Sequence, residues 1–159
     1  MDYSKKNKSY TLDEAKLRLA KYCTYQDRCH FEVEKKLNEM RMIPAAQEEI
    51  IIFLMQEGFL NEERFTRSFI RGKFYSKNWG KTKINQQLRL KRIPQSLIIL
   101  CMDEIKPSDY FKTCLSLAEK KLKQLEGQIT LKNKQKIQSY LYQKGYESEL
   151  IYECLNELK

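Results

Sequence analysis

The chain has little of the two residues that punctuate folds, with five glycines and three prolines in 159 residues. No Asn-Gly or Asp-Gly pair marks a hairpin, and apolar residues recur at helical rather than alternating spacing, so strands have little support. Only one histidine, His30, is present, and the five cysteines (Cys23, Cys29, Cys101, Cys114, Cys154) are odd in number and scattered. With no C-x-x-C pair among them, a zinc site and a disulfide framework are both disfavoured. They read instead as small buried apolar residues of a reducing compartment. The longest strongly apolar run, Ile50 to Met55, is far too short to span a bilayer, and Met1 to Tyr10 lacks the apolar stretch of an export signal. A cytoplasmic protein without membrane contact is expected.

Catalytic signatures are missing as well. There is no Walker A loop, G-x-G-x-x-G or H-E-x-x-H, and His30 has no evident partner. The carboxylate pairs Glu48-Glu49 and Glu62-Glu63 are sequence neighbours, which on a helix point about 100° apart and do not converge on a substrate. Neither an enzyme nor a cofactor is expected.

What remains is a helical chain with an internal repeat. Val33-x-x-x-Leu37, Ile84-x-x-x-Leu88 and Ile137-x-x-x-Leu141 open corresponding helices, 51 and then 53 residues apart. Each is followed by a short break and an apolar helix, with the breaks at Met42-Ile43-Pro44, Arg92-Ile93-Pro94 and Lys144-Gly145-Tyr146. Each is preceded by another helix, predicted over 13–25, 62–77 and 110–125. Local signals agree: Thr11-Leu-Asp-Glu14 reads as a capping box, Gly58 as a helix stop and Asn61 as the next cap. Pro44, Pro94 and Pro107 suit first turns or connectors. The fold expected is all-α, with three tandem three-helix repeats (11–57, 58–105, 106–159) behind a flexible basic tail (1–10), stacked as an elongated curved rod. The third helix of each repeat, apolar nearly all round, is expected to pack centrally between its neighbours.

Charge is unevenly placed. Thirty Lys plus Arg face 21 Asp plus Glu, and the middle repeat holds ten of the cations against four acids. No acid occurs between Arg64 and Arg92. That run contains Arg64, Arg67, Arg71, Lys73, Lys77, Lys81, Lys83, Arg89, Lys91 and Arg92, an electrostatic footprint for phosphates. On one helix Arg64, Arg67, Arg71, Tyr75 and Asn78 would share a stripe, while Phe65, Phe69, Gly72 and Ser76 would face the core. Tyr75 and Trp79 beside these cations could stack on unpaired bases; for Trp79 a buried anchor is the plainer reading. The twelve candidate site residues are thus the ten cations with Tyr75 and Trp79.

These residues carry a resemblance. Gly58-Phe-Leu-Asn-Glu-Glu-Arg-Phe65, Phe69-Ile-Arg71, Gly80-Lys-Thr-Lys-Ile84, Leu88-Arg89 and Lys91-Arg92-Ile93 follow in the order and spacing of the RecX family, regulatory proteins of the RecA recombinase. Ala15, Leu19 and the Val33 to Leu37 helix add to it, and the resemblance runs from about Leu12 to Lys159. Ile43-Pro44 and Ile93-Pro94 depart from the family's usual Gly, apolar, acid pattern. The resemblance implies a protein that binds the RecA nucleoprotein filament and single- and double-stranded DNA, and usually restrains recombinase activity in strand exchange and the damage response; a monomer is expected because a repeat rod with covered ends needs no twofold interface. Two other readings of the basic run stand beside it. One is a general helical nucleic-acid-binding protein, for which Asn85-Gln-Gln87 beside Arg89 is a weak recognition helix. The other is a scaffold whose basic run meets an acidic protein.

Overall fold

A computed structural model describes residues 9–158, so residues 1–8 of the expected tail lie outside the described residues. The all-helical expectation holds, with no strand among the described residues. The elements are α1 (Leu12–Tyr25), α2 (His30–Glu39), α3 (Pro44–Gln56), α4 (Glu62–Arg71), a π-helical turn (Gly72–Ser76), α5 (Lys81–Leu90), α6 (Gln95–Cys101), a 3-10 turn (Met102–Glu104), α7 (Pro107–Gln124), α8 (Leu131–Lys144) and α9 (Ser148–Glu157). No helix among the described residues is long and apolar enough to cross a membrane.

The helix boundaries follow local chemistry. The Thr11 hydroxyl accepts the Glu14 backbone N–H at 3.1 Å, and the Asn61 side chain accepts that of Arg64 at 2.9 Å, each satisfying a donor that a helix start leaves open. Pro44 and Pro107 occupy first turns, where no N–H is needed. Gly58 leaves α3 at φ +74° and Gly145 caps α8 at φ +100°, the left-handed conformation glycine adopts without a side-chain clash.

Two compact units divide the chain, one up to Thr66 with Lys91–Ile93, the other Arg67–Leu90 with Pro94 onward. In the first, α3 packs on α1 and α2 over Leu19, Val33, Leu37, Ile50 and Leu54, all fully buried. Removing each such side chain from water stabilises the unit by about 1.5–3 kcal/mol before entropy is counted. In the second, α7, α8 and α9 pack mutually and α5 packs on α6, over Phe74, Ile84, Ile98, Ile137, Tyr146 and Ile151. All five cysteines are free and buried. Burial pushes the thiols of Cys23 and Cys29 up to about 11 and about 12, which keeps them protonated and unreactive.

Two expectations fail. The third helices are not centrally packed: Ile52 and Met55 of α3, Ile99 and Leu100 of α6, and Tyr152 of α9 all stand exposed. Each of these helices buries one stripe (Ile50 and Leu54; Ile98 and Cys101; Ile151 and Cys154), because two neighbours cover only one side of a cylinder. The helix expected over 62–77 runs without interruption from Glu62 to Ser76, its last turn widening to a π turn at Gly72. Its expected core face is not the observed one: Phe74, four residues after the buried Ile70 and eight after the buried Thr66, faces the core, whereas Gly72 and Ser76 stand exposed.

Candidate nucleic-acid interface

The start of α5 is held by the segment that ends α8. Gly80 N–H donates to the Lys144 carbonyl at 2.8 Å, Thr82 N–H to the Gly145 carbonyl at 3.0 Å, and Lys81 N–H to the Tyr110 hydroxyl at 2.9 Å. Tyr110 in turn donates to Glu147 at 2.8 Å, and Tyr146 donates to the Asn78 carbonyl at 2.9 Å. Burial holds both phenols protonated well above their usual range. The backbone N–H groups of Gly80, Lys81 and Thr82 are therefore spent inside the protein.

Beside this junction lysines lie over aromatic rings. The Lys73 and Lys83 ammoniums lie 4.8 and 4.4 Å from the centroid of the half-buried Trp79 ring, and Lys81 lies 4.6 Å from that of Tyr110. Lys77 is exposed, and Lys144 reaches its carbonyl at 3.2 Å. None of these five lysines has a carboxylate partner among the described residues. Trp79 is thus partly buried rather than a fully buried anchor, and its ring lies beneath two ammoniums.

The arginines are placed differently. Arg67 bonds Asp103 at 2.7 Å and Glu104 at 3.1 Å, Arg71 bonds Glu104 at 3.0 Å, and the Tyr75 hydroxyl donates to Asp109 at 2.8 Å. The acids missing between 64 and 92 are supplied by the 3-10 turn and the first turn of α7, so this stripe is a seam of paired charges, with Arg71, Tyr75 and Asp103 still exposed. In the first unit Arg64 bonds Asp27 at 2.7 Å and the carbonyls of Gly58 and Phe59 at 3.1 Å, closing the turn after α3. Lys91 meets Glu32 at 3.6 Å, and Arg92 lies 5.1 Å from the Phe31 ring centroid. Arg89 is exposed on α5. The structure therefore gathers Lys73, Lys77, Trp79, Lys81 and Lys83, and commits Arg64, Arg67, Arg71, Tyr75 and Lys91 to acids of the fold.

The hydrogen bond from Arg71, reinforced by that from Arg67, holds the Glu104 carboxyl below the ordinary glutamate value against the opposing effect of burial. A carboxylate lowered in the folded state contributes stability that is full above its unfolded pKa, about 4.3, and is lost as pH falls through the folded value. Glu104→Gln is therefore expected to be less stable than the parent at neutral pH, with the gap closing in acid. Urea unfolding at both pH values checks this; an unchanged gap would assign the loss to packing.

Two family models match the chain, "RecX, second three-helix domain" over residues 61–99 and "RecX, third three-helix domain" over residues 108–155, together more than half of it. The chain belongs to the RecX family. It is 28% identical over 148 residues to the "Regulatory protein RecX" of Bacillus mycoides (strain KBAB4) and to that of Bacillus cereus (strain G9842), covering 93% of this chain and 55% of each relative. The chain thus spans about half the length of the curated relatives it matches. A crystal structure of regulatory protein RecX superposes with TM-score 0.81 at 26% identity, over 92% of this chain and 71% of that one. The RecX structure from Lactobacillus salivarius superposes with TM-score 0.85 at 22% identity, over 92% and 96%, and speaks to the fold alone.

In this RecX-family chain one cation of the cluster was missed from sequence, Lys144. It lies 61 residues beyond Lys83 and joins the cluster only through the contact between Gly80 and Gly145. The faint signal was its place beside the repeat's break.

Proposed function

We propose that this chain is a regulatory protein that binds the recombinase nucleoprotein filament and DNA and restrains the filament's ATPase and strand exchange, acting by binding rather than catalysis. Family membership supports the recombinase as partner. The observation that carries the DNA contact is the unpaired lysine cluster on Trp79 and Tyr110. Like charges held together without acids repel, and a phosphate backbone relieves that repulsion while releasing its own counterions. A filament offers this anion lattice many times over, so several weak contacts reinforce one another through effective concentration.

The test is the single-stranded-DNA-dependent ATPase of the host's recombinase, with this protein titrated in after filaments have formed. The reading expects the rate to fall at substoichiometric protein. An unchanged rate together with ready DNA binding would leave a nucleic-acid-binding protein that acts without the recombinase.

A further inference from the structure

The second helices of the three repeats share more than their core residues. On α8 the exposed residues Lys132, Gln135, Lys136, Ser139, Tyr142 and Gln143 follow one another at three- and four-residue steps, opposite the buried Ile137 and Leu141. The stripe contains no acid, and none occurs anywhere between Gly127 and Tyr146. Lys132 and Lys136 have no carboxylate partner among the described residues. They sit near the helix start, where the helix dipole opposes positive charge, although glutamates there would have favoured the helix. A groove runs beside them, lined by Gln135, Gln138, Tyr142 and Gln143 with Ser148 and Ile151 of α9.

The repeat supplies a comparison within the chain. The equivalents of Gln135, Lys136, Gln138 and Ser139 on α5 are Thr82, Lys83, Asn85 and Gln86, again lysine, amide and hydroxyl with no acid. Their equivalents on α2 are Phe31, Glu32, Glu34 and Lys35, and the matching groove of the first unit mixes Glu34 and Glu39 with Lys35 and Arg92. The acid-free face is thus a property of α5 and α8, and α2 shows that the fold does not require it.

We propose that the outer face of α8 is a second nucleic-acid-binding surface, with Lys132 and Lys136 against phosphates and Gln135, Gln138 and Tyr142 against bases. The inference rests on the nucleic-acid reading of the α5 cluster. The chemistry favours nucleic acid over an acidic protein face because amides that both donate and accept suit base edges, and a tyrosine two-thirds exposed offers a ring for stacking. From Lys132 to Gln143 the stripe is about 17 Å long at the helical rise, enough to follow several phosphates of a strand.

The experiment measures binding of labelled single-stranded and duplex oligonucleotides by the full chain across a salt series, comparing the parent with Lys132→Glu/Lys136→Glu and with Gln138→Ala/Tyr142→Ala. Reversing the lysines is expected to weaken binding at least about tenfold and to flatten the salt slope by about two. The second pair should weaken binding with the slope unchanged. If circular dichroism shows the reversed variant unfolded, Lys132→Gln/Lys136→Gln takes its place with the same slope expected. Parent-like affinity and slope in the lysine variants overturn the α8 surface and leave the α5 reading standing; a parent that binds no oligonucleotide overturns both. Parent-like DNA binding combined with failure to bind DNA-free recombinase would reassign the face to protein and also overturn the proposal.

Discussion

Gly80→Ala is expected to destabilise the second unit by about 3 kcal/mol or more, a large share of a domain's usual total. A β-carbon at Gly80 would land on the backbone of Gly145 and Tyr146, where no side-chain rotation can make room. Two backbone hydrogen bonds cross the same contact, Gly80 to Lys144 and Thr82 to Gly145, so a shift that relieves the clash breaks them. Gly145→Ala should be comparably harmful, since φ is +100° there and the new carbon would meet Lys83. Trp79, the chain's only tryptophan, adjoins the contact and gives a fluorescence reading of urea unfolding. A change under about 0.5 kcal/mol, the scale of an ordinary surface substitution, would mean that the junction yields easily.

The second large effect concerns affinity. Lys77→Glu/Lys81→Glu/Lys83→Glu is expected to weaken DNA binding about a hundredfold at low salt and to flatten the salt dependence by about three, one for each phosphate left without its lysine. Arg67→Gln/Arg71→Gln should leave that slope near the parent's, because those guanidiniums already serve Asp103 and Glu104. It should cost stability instead, as acids deprived of their partners do. Fluorescence anisotropy over a salt series, with unfolding curves for the same proteins, separates the two. Equal flattening of the slope in both variants would show that the arginines exchange their carboxylates for phosphate on binding, and that the seam belongs to the interface after all.

The same pair of variants marks how far the site could be read from the chain. The run without acids between Arg64 and Arg92 is visible as a string of letters, and so is its excess of positive charge. Its division into cations without acid partners and cations paired with acids is not. Asp103, Glu104 and Asp109 approach Arg67, Arg71 and Tyr75 from more than 30 residues away, and nothing in the local pattern announces that approach. The face of α8 escaped for a related reason: its charge is diluted by glutamines, so it stands out only once exposure and the repeat register are known together.

By itself the sequence determined that the chain is helical, where most helices begin and end, that its thiols lie in the core, and which family it joins. Those properties depend on neighbours within one or two turns, or on the order of motifs along the chain. Tertiary structure alone decided that α3, α6 and α9 each keep an apolar side exposed, since uniform hydropathy names no preferred face. It also decided that Phe74, rather than Gly72 or Ser76, takes the core position, and that Gly80 and Gly145 meet backbone to backbone. The contact between those glycines joins residues 65 apart, and it is what brings Lys144 to the lysines of α5. Pairing across such separations follows from the packing of whole helices, which no local window of residues contains.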